Sequence, residues 1–161
     1  MITEEKINEI FDIVYLEVEK TIAEKNQPFG AVITDHAGEI LAVAHNEVVT
    51  TCDPTSHAEI NAIRIACKKL GNRDLSGCSI FVNSEPCPMC AAAIARAKIA
   101  RVYYGPSQEV GVNPDISAIE IWNKSKNKIQ IHSGLQSHRF QDQIEKSRRI
   151  LDGKAREFKK G

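Results

Sequence analysis

Apolar segments of two kinds alternate along the chain, and this alternation restricts the fold more than any other feature. Composition and apolar spacing predict helices over residues 3–24, 57–70, 88–98, 116–124 and 136–158. Short apolar runs between them predict strands over residues 29–34, 39–44, 79–83, 100–104 and 128–132. The resulting order, α-β-β-α-β-α-β-α-β-α, is typical of a three-layer α/β/α sandwich built on a mixed sheet.

The length of 161 residues fits one domain, and no repeat, low-complexity tract or linker divides it. Hydrophobic residues make up 42% and charged residues 26% of the chain, values that exclude disordered, collagen-like and coiled-coil classes. No apolar run approaches the ~18 residues of a membrane-spanning helix. The N-terminus lacks the apolar region of a secretion signal. We therefore expect a single soluble, cytoplasmic domain over residues 1–161.

The formal net charge is zero, because 21 Lys and Arg balance 21 Asp and Glu. Taken as a total, this disfavours a strongly basic nucleic-acid binder. The balance is uneven along the chain, since residues 1–123 hold 10 basic and 17 acidic side chains and residues 124–161 hold 11 and 4. We interpret the basic C-terminal helical segment, residues 136–158, as a solvated face or a surface that packs on an acidic neighbour. It nevertheless leaves RNA binding open.

The five cysteines are an odd number, which suits metal ligands or redox groups better than a secreted disulfide framework. Two of them lie in the motif Pro86-Cys87-Pro88-Met89-Cys90, and a second motif, His57-Ala58-Glu59, begins another predicted helix. Side chains three apart on a helix face the same way, and a helix N-terminus favours the thiolates that zinc requires. The motifs therefore predict a zinc site with two thiolates, one imidazole and a fourth position for water.

Glu59 lies two residues from His57, within reach of a water at that fourth position. Such a site suits hydrolytic deamination, in which water attacks an amidine-like ring carbon and Glu59 moves protons to the ring nitrogen and the leaving amine. The combination of H-x-E and P-C-x-x-C is the signature of zinc-dependent deaminases. A structural site of four cysteines is disfavoured because Cys52, Cys67 and Cys78 supply no second C-x-x-C. A redox pair would leave His57 and Glu59 without a role.

The remaining cysteines and histidines receive no chemical role from the sequence. Cys67 and Cys78 fall on a predicted helix and near a strand start, so we expect buried structural thiols. Four histidines lack partners at ligand spacing and are expected to be exposed or hydrogen-bonded: His36, His45, His132 and His138.

Several further segments can be compared with known families. They are Pro28-Phe29-Gly30-Ala31-Val32, Asn46, Asp53-Pro54-Thr55-Ser56-His57-Ala58-Glu59, Ala62-Ile63-Arg64 and Ser84-Glu85-Pro86-Cys87-Pro88-Met89-Cys90. Together they resemble the cytidine deaminase superfamily, in the branch of bacterial guanine deaminases and tRNA adenosine deaminases. The match is close over residues 25–105 and loose elsewhere. The resemblance implies a five-stranded mixed sheet with helices on both faces, one zinc ion per chain and a homodimer.

The resemblance assigns zinc binding to His57, Cys87 and Cys90 and proton transfer to Glu59. It also implies three contacts with a substrate: Phe29 stacks on the base, Asn46 hydrogen-bonds the purine ring, and the backbone N–H of Ala58 holds the exocyclic oxygen. From the residues alone, Asn46 also fits a loop side chain bonded to its own backbone, and Phe29 also fits the core.

Within this branch the resemblance favours guanine, deaminated to xanthine and ammonia. The stretch from Gly111 to Trp122 is similar in outline to guanine deaminases, and it makes Asp115 the candidate for the purine 2-amino edge. Asp115 equally fits a plain cap of the helix predicted from residue 116. Ala95-Arg96 stand where guanine deaminases usually carry aromatic side chains, which leaves another purine, a nucleoside or cytosine open.

The main alternative is a tRNA adenosine deaminase acting on the wobble adenosine. The basic C-terminal segment favours it, whereas the Lys-Thr-Gly-Ala-Ala-Gly stretch of similar proteins is absent after Tyr104. A remote alternative is an inactive, zinc-stabilised binding module, which would have no use for a proton shuttle at Glu59. The expected partners are a small purine and a second copy of the chain, with nucleic acid only under the tRNA alternative and no membrane.

Overall fold

The computed structural model describes residues 2–107 and 114–158, with side chains described as far as residue 152. The first elements in chain order are α1 (Glu4–Ala23), β1 (Gly30–Thr34), β2 (Ile40–His45), α2 (Val48–Thr51), α3 (Ala58–Leu70) and β3 (Ser79–Val82). They are followed by α4 (Pro88–Arg96), β4 (Arg101–Tyr104), α5 (Ala118–Asn123), β5 (Gln130–His132) and α6 (Ser137–Phe158). Every element predicted from the sequence is present, and its ends lie within two residues of the predicted ends.

The short helix α2 is the element that the sequence pattern does not predict. It lies in the polar stretch after β2 and is stabilised by a residue that is distant in the sequence. The carboxamide oxygen of Asn26 accepts hydrogen bonds from the backbone N–H groups of Val49, at 2.9 Å, and Thr50, at 3.1 Å. Because Asn26 lies more than twenty residues away in the chain, a local pattern of apolar residues could not reveal this helix.

The five strands form one mixed sheet in the order β2-β1-β3-β4-β5. β1 pairs antiparallel with β2 and with β3, whereas β3–β4 and β4–β5 are parallel pairs. The parallel pairs follow from the chain path, since α4 connects β3 to β4 and α5 lies between β4 and β5. The predicted α/β class with a mixed five-stranded sheet is therefore confirmed.

Two apolar layers cover opposite faces of the sheet because side chains alternate along each strand. Val32, Phe81 and Tyr103 point to the layer that contains α1 and Phe140 of α6. Their neighbours along the strands belong to the other layer, with α3, α4 and α5; these are Ala31, Ile33, Ile80, Val82, Val102 and Tyr104. Helices thus lie on both faces, as the resemblance implies. Within the described ranges, no helix is both long and apolar enough to cross a membrane.

The strand ends that surround the site lie together at one end of the sheet. β3 and β4 are parallel, so Val82 and Tyr104 end side by side. β1 runs the other way and begins there, with Ala31 opposite Val82. The loops that leave these strands therefore meet at the carboxyl ends of the parallel strands, the usual place of a binding site in an open α/β sheet.

The remaining cysteines and histidines take varied positions. Cys78 is buried, as expected, whereas Cys67 is only half-buried and Cys52 is exposed. His36 and His138 are exposed. The ring of His132 stacks on Tyr103, with ring centroids 4.4 Å apart.

His45 is hydrogen-bonded between two carboxylates of α1 and its C-cap. Its Nδ1 lies 3.0 Å from Oε2 of Glu17 and its Nε2 lies 3.0 Å from Oε2 of Glu24. Partial burial opposes protonation of His45, but the hydrogen bonds to Glu17 and Glu24 outweigh it and raise the pKa of the imidazole. Burial also acts to raise the pKa of Glu17, but hydrogen bonds from Lys20 and His45 outweigh it and lower that pKa.

These opposite shifts predict how the free energy of unfolding depends on pH. The contribution of Glu17 is present above its ordinary pKa of 4.5 and is lost as pH falls through the lower folded value. The contribution of His45 is present below 6.5 and is lost as pH rises through the raised folded value. The free energy of unfolding, measured with urea, should therefore differ most between the wild type and His45→Gln near pH 5.5, which is ~midway between these two pKa values. The difference should be smaller at pH 8.5, ~2 units above the ordinary His pKa. A difference that does not vary with pH would contradict this assignment.

Candidate metal centre and active site

His57 ends the loop that leads into α3 and is the N-cap of that helix. The loop is tied by Asp53, whose carboxylate accepts hydrogen bonds from the backbone N–H of Thr55 at 2.8 Å and from its hydroxyl at 2.7 Å. The backbone of His57 is extended, with φ −74° and ψ 154°, and its carbonyl accepts the N–H of Asn61. The imidazole is therefore held at the helix start by backbone bonds on both sides.

The two thiols of the C-x-x-C motif lie at the start of α4. Cys87 is the N-cap, Pro88 occupies the first helical position, and Cys90 lies in the first turn. Proline suits that position because its fixed φ matches the helix and no N–H is needed there. The N–H of Glu85 donates to the carbonyl of Pro106 at 2.9 Å, which ties the segment before Cys87 to the loop after β4.

The ligand atoms of the predicted zinc site meet in space. Nδ1 of His57 lies 3.6 Å from Sγ of Cys87 and 3.5 Å from Sγ of Cys90, and all three atoms lie within 4.8 Å of one another. Zinc bound tetrahedrally at ~2.3 Å from sulfur and ~2.0 Å from nitrogen would separate the two ligand atoms by ~3.5 Å. The group therefore fits a zinc ion, and two thiolates with one imidazole leave one position for water.

The contacts within the group also favour the thiolate that zinc needs. The hydrogen bond from Cys90, together with the contact with His57, lowers the pKa of the Cys87 thiol to about 4. The same contact with Cys87 raises the pKa of Cys90, and a contact with Cys87 raises that of His57. The lowered pKa favours the thiolate form of Cys87, and metal binding releases the protons that the other ligands carry.

Glu59 occupies the second position of α3, beside the three ligands, and its side chain is buried, with 6% of the residue exposed. Burial raises the pKa of its carboxyl above the ordinary value of 4.5. A carboxylate with a raised pKa accepts a proton more readily, which is the property required of a group that takes a proton from water and passes it on.

A cavity of about 660 Å³ opens beside this centre. His57, Cys87 and Glu59 line it together with Phe29 and Asn83. Cavities of several hundred Å³ are of the size that small-molecule ligands occupy in proteins. Two of the three predicted ligands, His57 and Cys87, therefore face one common space with the predicted proton shuttle.

The residues predicted to contact a substrate take different positions. Phe29 is half-buried and lines the cavity, and Ala58 is the first residue of α3, where its N–H has no acceptor within the helix. Asn46 is fully buried and does not line the cavity; its Nδ2 has no hydrogen-bond partner within the described residues. Asp115 is exposed ahead of α5 and is not among the described cavity residues.

The alternative role of Asp115 as a helix cap is wrong. The helix α5 begins at Ala118, and Ser117 is its N-cap. The Ser117 hydroxyl accepts the N–H of Glu120, while the Glu120 carboxylate accepts the N–H of Ser117 at 2.8 Å. This reciprocal pair is a capping box, and it makes Ser117 rather than Asp115 the N-cap of α5. The stretch predicted to resemble guanine deaminases begins at residues 111–113, which lie outside the described residues.

Sequence reasoning missed the part of α6 that lines the cavity. The six residues share one face of the helix and are Gln141, Ile144, Glu145, Arg148, Leu151 and Asp152. Their spacing of three or four residues is the available signal, since it places them on one side of a helix. The basic segment is therefore not only a solvated face, because this side of α6 forms a wall of the cavity.

Known proteins resemble this chain in sequence and in structure. Guanine deaminase of Bacillus subtilis (strain 168) is 51% identical over 77 residues, which are 48% of this chain and 49% of that protein. tRNA-specific adenosine deaminase of Aquifex aeolicus (strain VF5) is 42% identical over 97 residues, which are 60% of this chain and 64% of that protein. The chain thus spans about half to just under two thirds of the length of these relatives.

A solved structure from a study of A-to-I editing by tRNA:A34 deaminases superposes with a TM-score of 0.78. It is 31% identical, and the match covers 84% of this chain and 99% of that one. The family described as the cytidine and deoxycytidylate deaminase zinc-binding region matches residues 4–106, a range that includes all three candidate ligands and Glu59. The chain belongs to this family of zinc-binding deaminases.

Proposed function

We propose that the protein is a zinc-dependent hydrolytic deaminase of a small amino-purine, first of all guanine, which it converts to xanthine and ammonia. The observation that carries the proposal is the common cavity, which His57, Cys87 and Glu59 line together. The guanine deaminase of Bacillus subtilis, at 51% identity over 77 residues, supports the choice of base.

The residues would divide the reaction among them. His57, Cys87 and Cys90 would hold zinc, which makes a bound water more acidic. The Glu59 carboxylate would take a proton from the attacking water and deliver protons to the ring nitrogen next to the attacked carbon and to the amine. Guanine and one water thereby become xanthine and one ammonia. Phe29 would stack on the ring, and the N–H of Ala58 would hold the exocyclic oxygen.

The charges around the cavity support a neutral base over a polyanion. Among its described lining residues, one carries a guanidinium, Arg148, and four carry carboxylates: Glu59, Glu85, Glu145 and Asp152. A wall with more negative than positive charge repels phosphate groups, whereas carboxylates accept the N–H groups of a purine. Although the C-terminal segment is basic, the described residues that line the cavity carry more negative than positive charge.

Asn46 and Asp115 remain part of the proposal with different support. The buried Nδ2 of Asn46 has no partner within the described residues, and Asn46 would have to turn toward the cavity, which it does not line, to donate to a purine ring nitrogen or oxygen. Asp115 rests on the resemblance alone.

We also propose a homodimer. α3 and α5 lie on the same side of the sheet, and they expose large apolar side chains at Ile65, Leu70 and Ile119. A second copy that covered these helices would remove that apolar surface from water.

Ammonia release from a panel of substrates tests the choice of guanine. The panel contains guanine, adenine, cytosine, their nucleosides and a transcribed tRNA with adenosine at the wobble position. We expect the highest kcat/KM with guanine. This kcat/KM should change less than twofold between 50 and 200 mM salt, because a neutral base displaces no counterions. Binding of tRNA would instead weaken by ~10³-fold or more over the same range if 6–10 phosphates were contacted. Ammonia from tRNA alone would overturn the choice of guanine in favour of the wobble-adenosine alternative.

A further inference from the structure

Asn83, the residue after β3, connects the strand to the loop that carries Phe29. Its side chain is fully buried. Nδ2 donates to the carbonyl of Pro28 at 2.9 Å, and Oδ1 accepts the N–H of Gly30 at 3.0 Å. The carboxamide therefore binds the residues on both sides of Phe29 and uses its donor and its acceptor at once.

The position of Asn83 in the sheet explains this bridge. Ala31 pairs with Val82 in the antiparallel ladder of β1 and β3, so Gly30 and Asn83 are the next residues at that end. The side chain of Asn83 continues the ladder where the backbone pairing ends, and it extends the contact to Pro28. The loop is thereby held against β3 rather than left open over the cavity.

The same loop fixes Asn46. The carbonyl of Phe29 accepts the backbone N–H of Asn46 at 3.0 Å, and the carbonyl of Asn46 accepts the hydroxyl of Thr21 at 3.2 Å. A shift of the loop would thus move both residues that the proposed function assigns to the purine. The two hydrogen bonds of Asn83 anchor this loop on both sides of Phe29.

The turn after β4 packs closely against the backbone of Asn83. A side-chain carbon added at Gly105, the residue after β4, would lie 2.5 Å from the backbone oxygen of Asn83. Four residues further along the chain lies Cys87, one of the candidate zinc ligands. Asn83 therefore lies between the loop that carries Phe29 and the segment that carries Cys87.

We propose that Asn83 is a positioning residue that sets the distance of Phe29 and Asn46 from the metal centre and thereby the affinity for the purine. The inference rests on the proposed function, because it assigns substrate contacts to these two residues. Asn83 does not touch the reacting atoms in this scheme. Its removal should raise KM and leave kcat nearly unchanged, since the ligands and Glu59 stay in place.

The test compares Asn83→Ala with Asn127→Ala. Nδ2 of Asn127 donates to the carbonyl of Ala95 at 3.0 Å, so the control also loses a side-chain anchor of a backbone segment, but outside the cavity lining. For Asn83→Ala we expect a KM ~10-fold or more above wild type, in line with the loss of two buried hydrogen bonds. We expect kcat to stay within about threefold of wild type and the zinc content to be unchanged, because no ligand is altered.

A second measurement requires no substrate. The N–H of Gly30 donates to Asn83, so its hydrogen exchange in Asn83→Ala should be ~10-fold or more faster, while the amides of β4 keep their protection. Asn83→Asp serves where the alanine variant fails to fold, because it keeps the acceptor for Gly30 and loses the donor to Pro28. Its KM should again rise, while the hydrogen exchange of the Gly30 N–H should stay near that of the wild type.

The outcomes separate the two proposals. A folded, zinc-loaded Asn83 variant with wild-type KM and wild-type Gly30 exchange would overturn the positioning role, as would an equal KM increase in Asn127→Ala. If the wild-type enzyme leaves guanine intact but deaminates another substrate of the panel, the choice of guanine is wrong and the positioning role of Asn83 still stands. The KM of the Asn83 variants is then measured on that other substrate. An enzyme that deaminates none of them would overturn both proposals.

Discussion

Glu59→Ala is expected to lower kcat by at least ~10²-fold while the protein keeps its zinc. Glu59 is buried at the start of α3, lines the cavity with His57 and Cys87, and has a pKa raised by burial. Without its carboxylate, no group at that position takes a proton from the attacking water. The imidazole and the thiolates are committed to the metal in the proposed site and cannot replace it.

The kinetic pattern distinguishes a proton shuttle from a substrate contact. Because the transfer is needed only in the transition state, kcat and kcat/KM should fall by the same factor. Glu59→Gln should lose about as much activity as the alanine variant, since the amide keeps the shape of the side chain but does not carry the proton. The measurements are steady-state ammonia release with guanine and metal content by atomic absorption.

A matched control is available within the same fold. Glu17 is the other buried glutamate of the described residues, but it lies on α1, away from the cavity lining. Glu17→Gln should keep kcat within about twofold of wild type, because it removes a buried carboxylate that takes no part in the reaction. Near-normal turnover in Glu59→Ala, or an equal loss in both variants, would contradict the role assigned to Glu59.

The sequence predicts the metal centre well because its residues depend on local structure. His57 and Cys87 are helix N-caps, and the start of each helix is visible in the sequence from the change of apolar spacing and from Pro88. Cys90 follows from its position three residues after Cys87. That two helix starts separated by thirty residues meet in space does not follow from spacing, and here the family signature supplied the pairing.

The walls of the cavity could not be predicted in the same way. The packing of Phe140 against α1 determines which face of α6 lines the cavity. The sequence of α6 does not by itself predict this packing. The bridge from Asn83 to Pro28 joins residues 55 positions apart, and nothing in the local sequence marks it. The start of α5 could have been predicted from the sequence, because Ser117 and Glu120 form a recognisable S-x-x-E capping box.

Cys90→Ala is expected to abolish stoichiometric zinc binding and with it the activity. Cys90 is fully buried, and its sulfur lies 3.5 Å from Nδ1 of His57. Its removal leaves two ligands, fewer than the three protein ligands of catalytic zinc sites. We expect about one zinc per chain in the wild type and less than ~0.1 in the variant after dialysis, as judged by atomic absorption.

Loss of the metal should also lower thermal stability, because zinc that binds only the folded chain stabilises it by about 4 kcal/mol when free zinc is at ~1,000 times Kd. Cys78→Ala is the matched control, since it also removes a buried thiol but one without a ligand role. Both variants remove one sulfur atom from a buried side chain, so the excess loss of stability in Cys90→Ala reports the metal. A chelator should lower the Tm of the wild type and of Cys78→Ala but leave Cys90→Ala unchanged. Undiminished zinc in Cys90→Ala would show that the ion is held elsewhere.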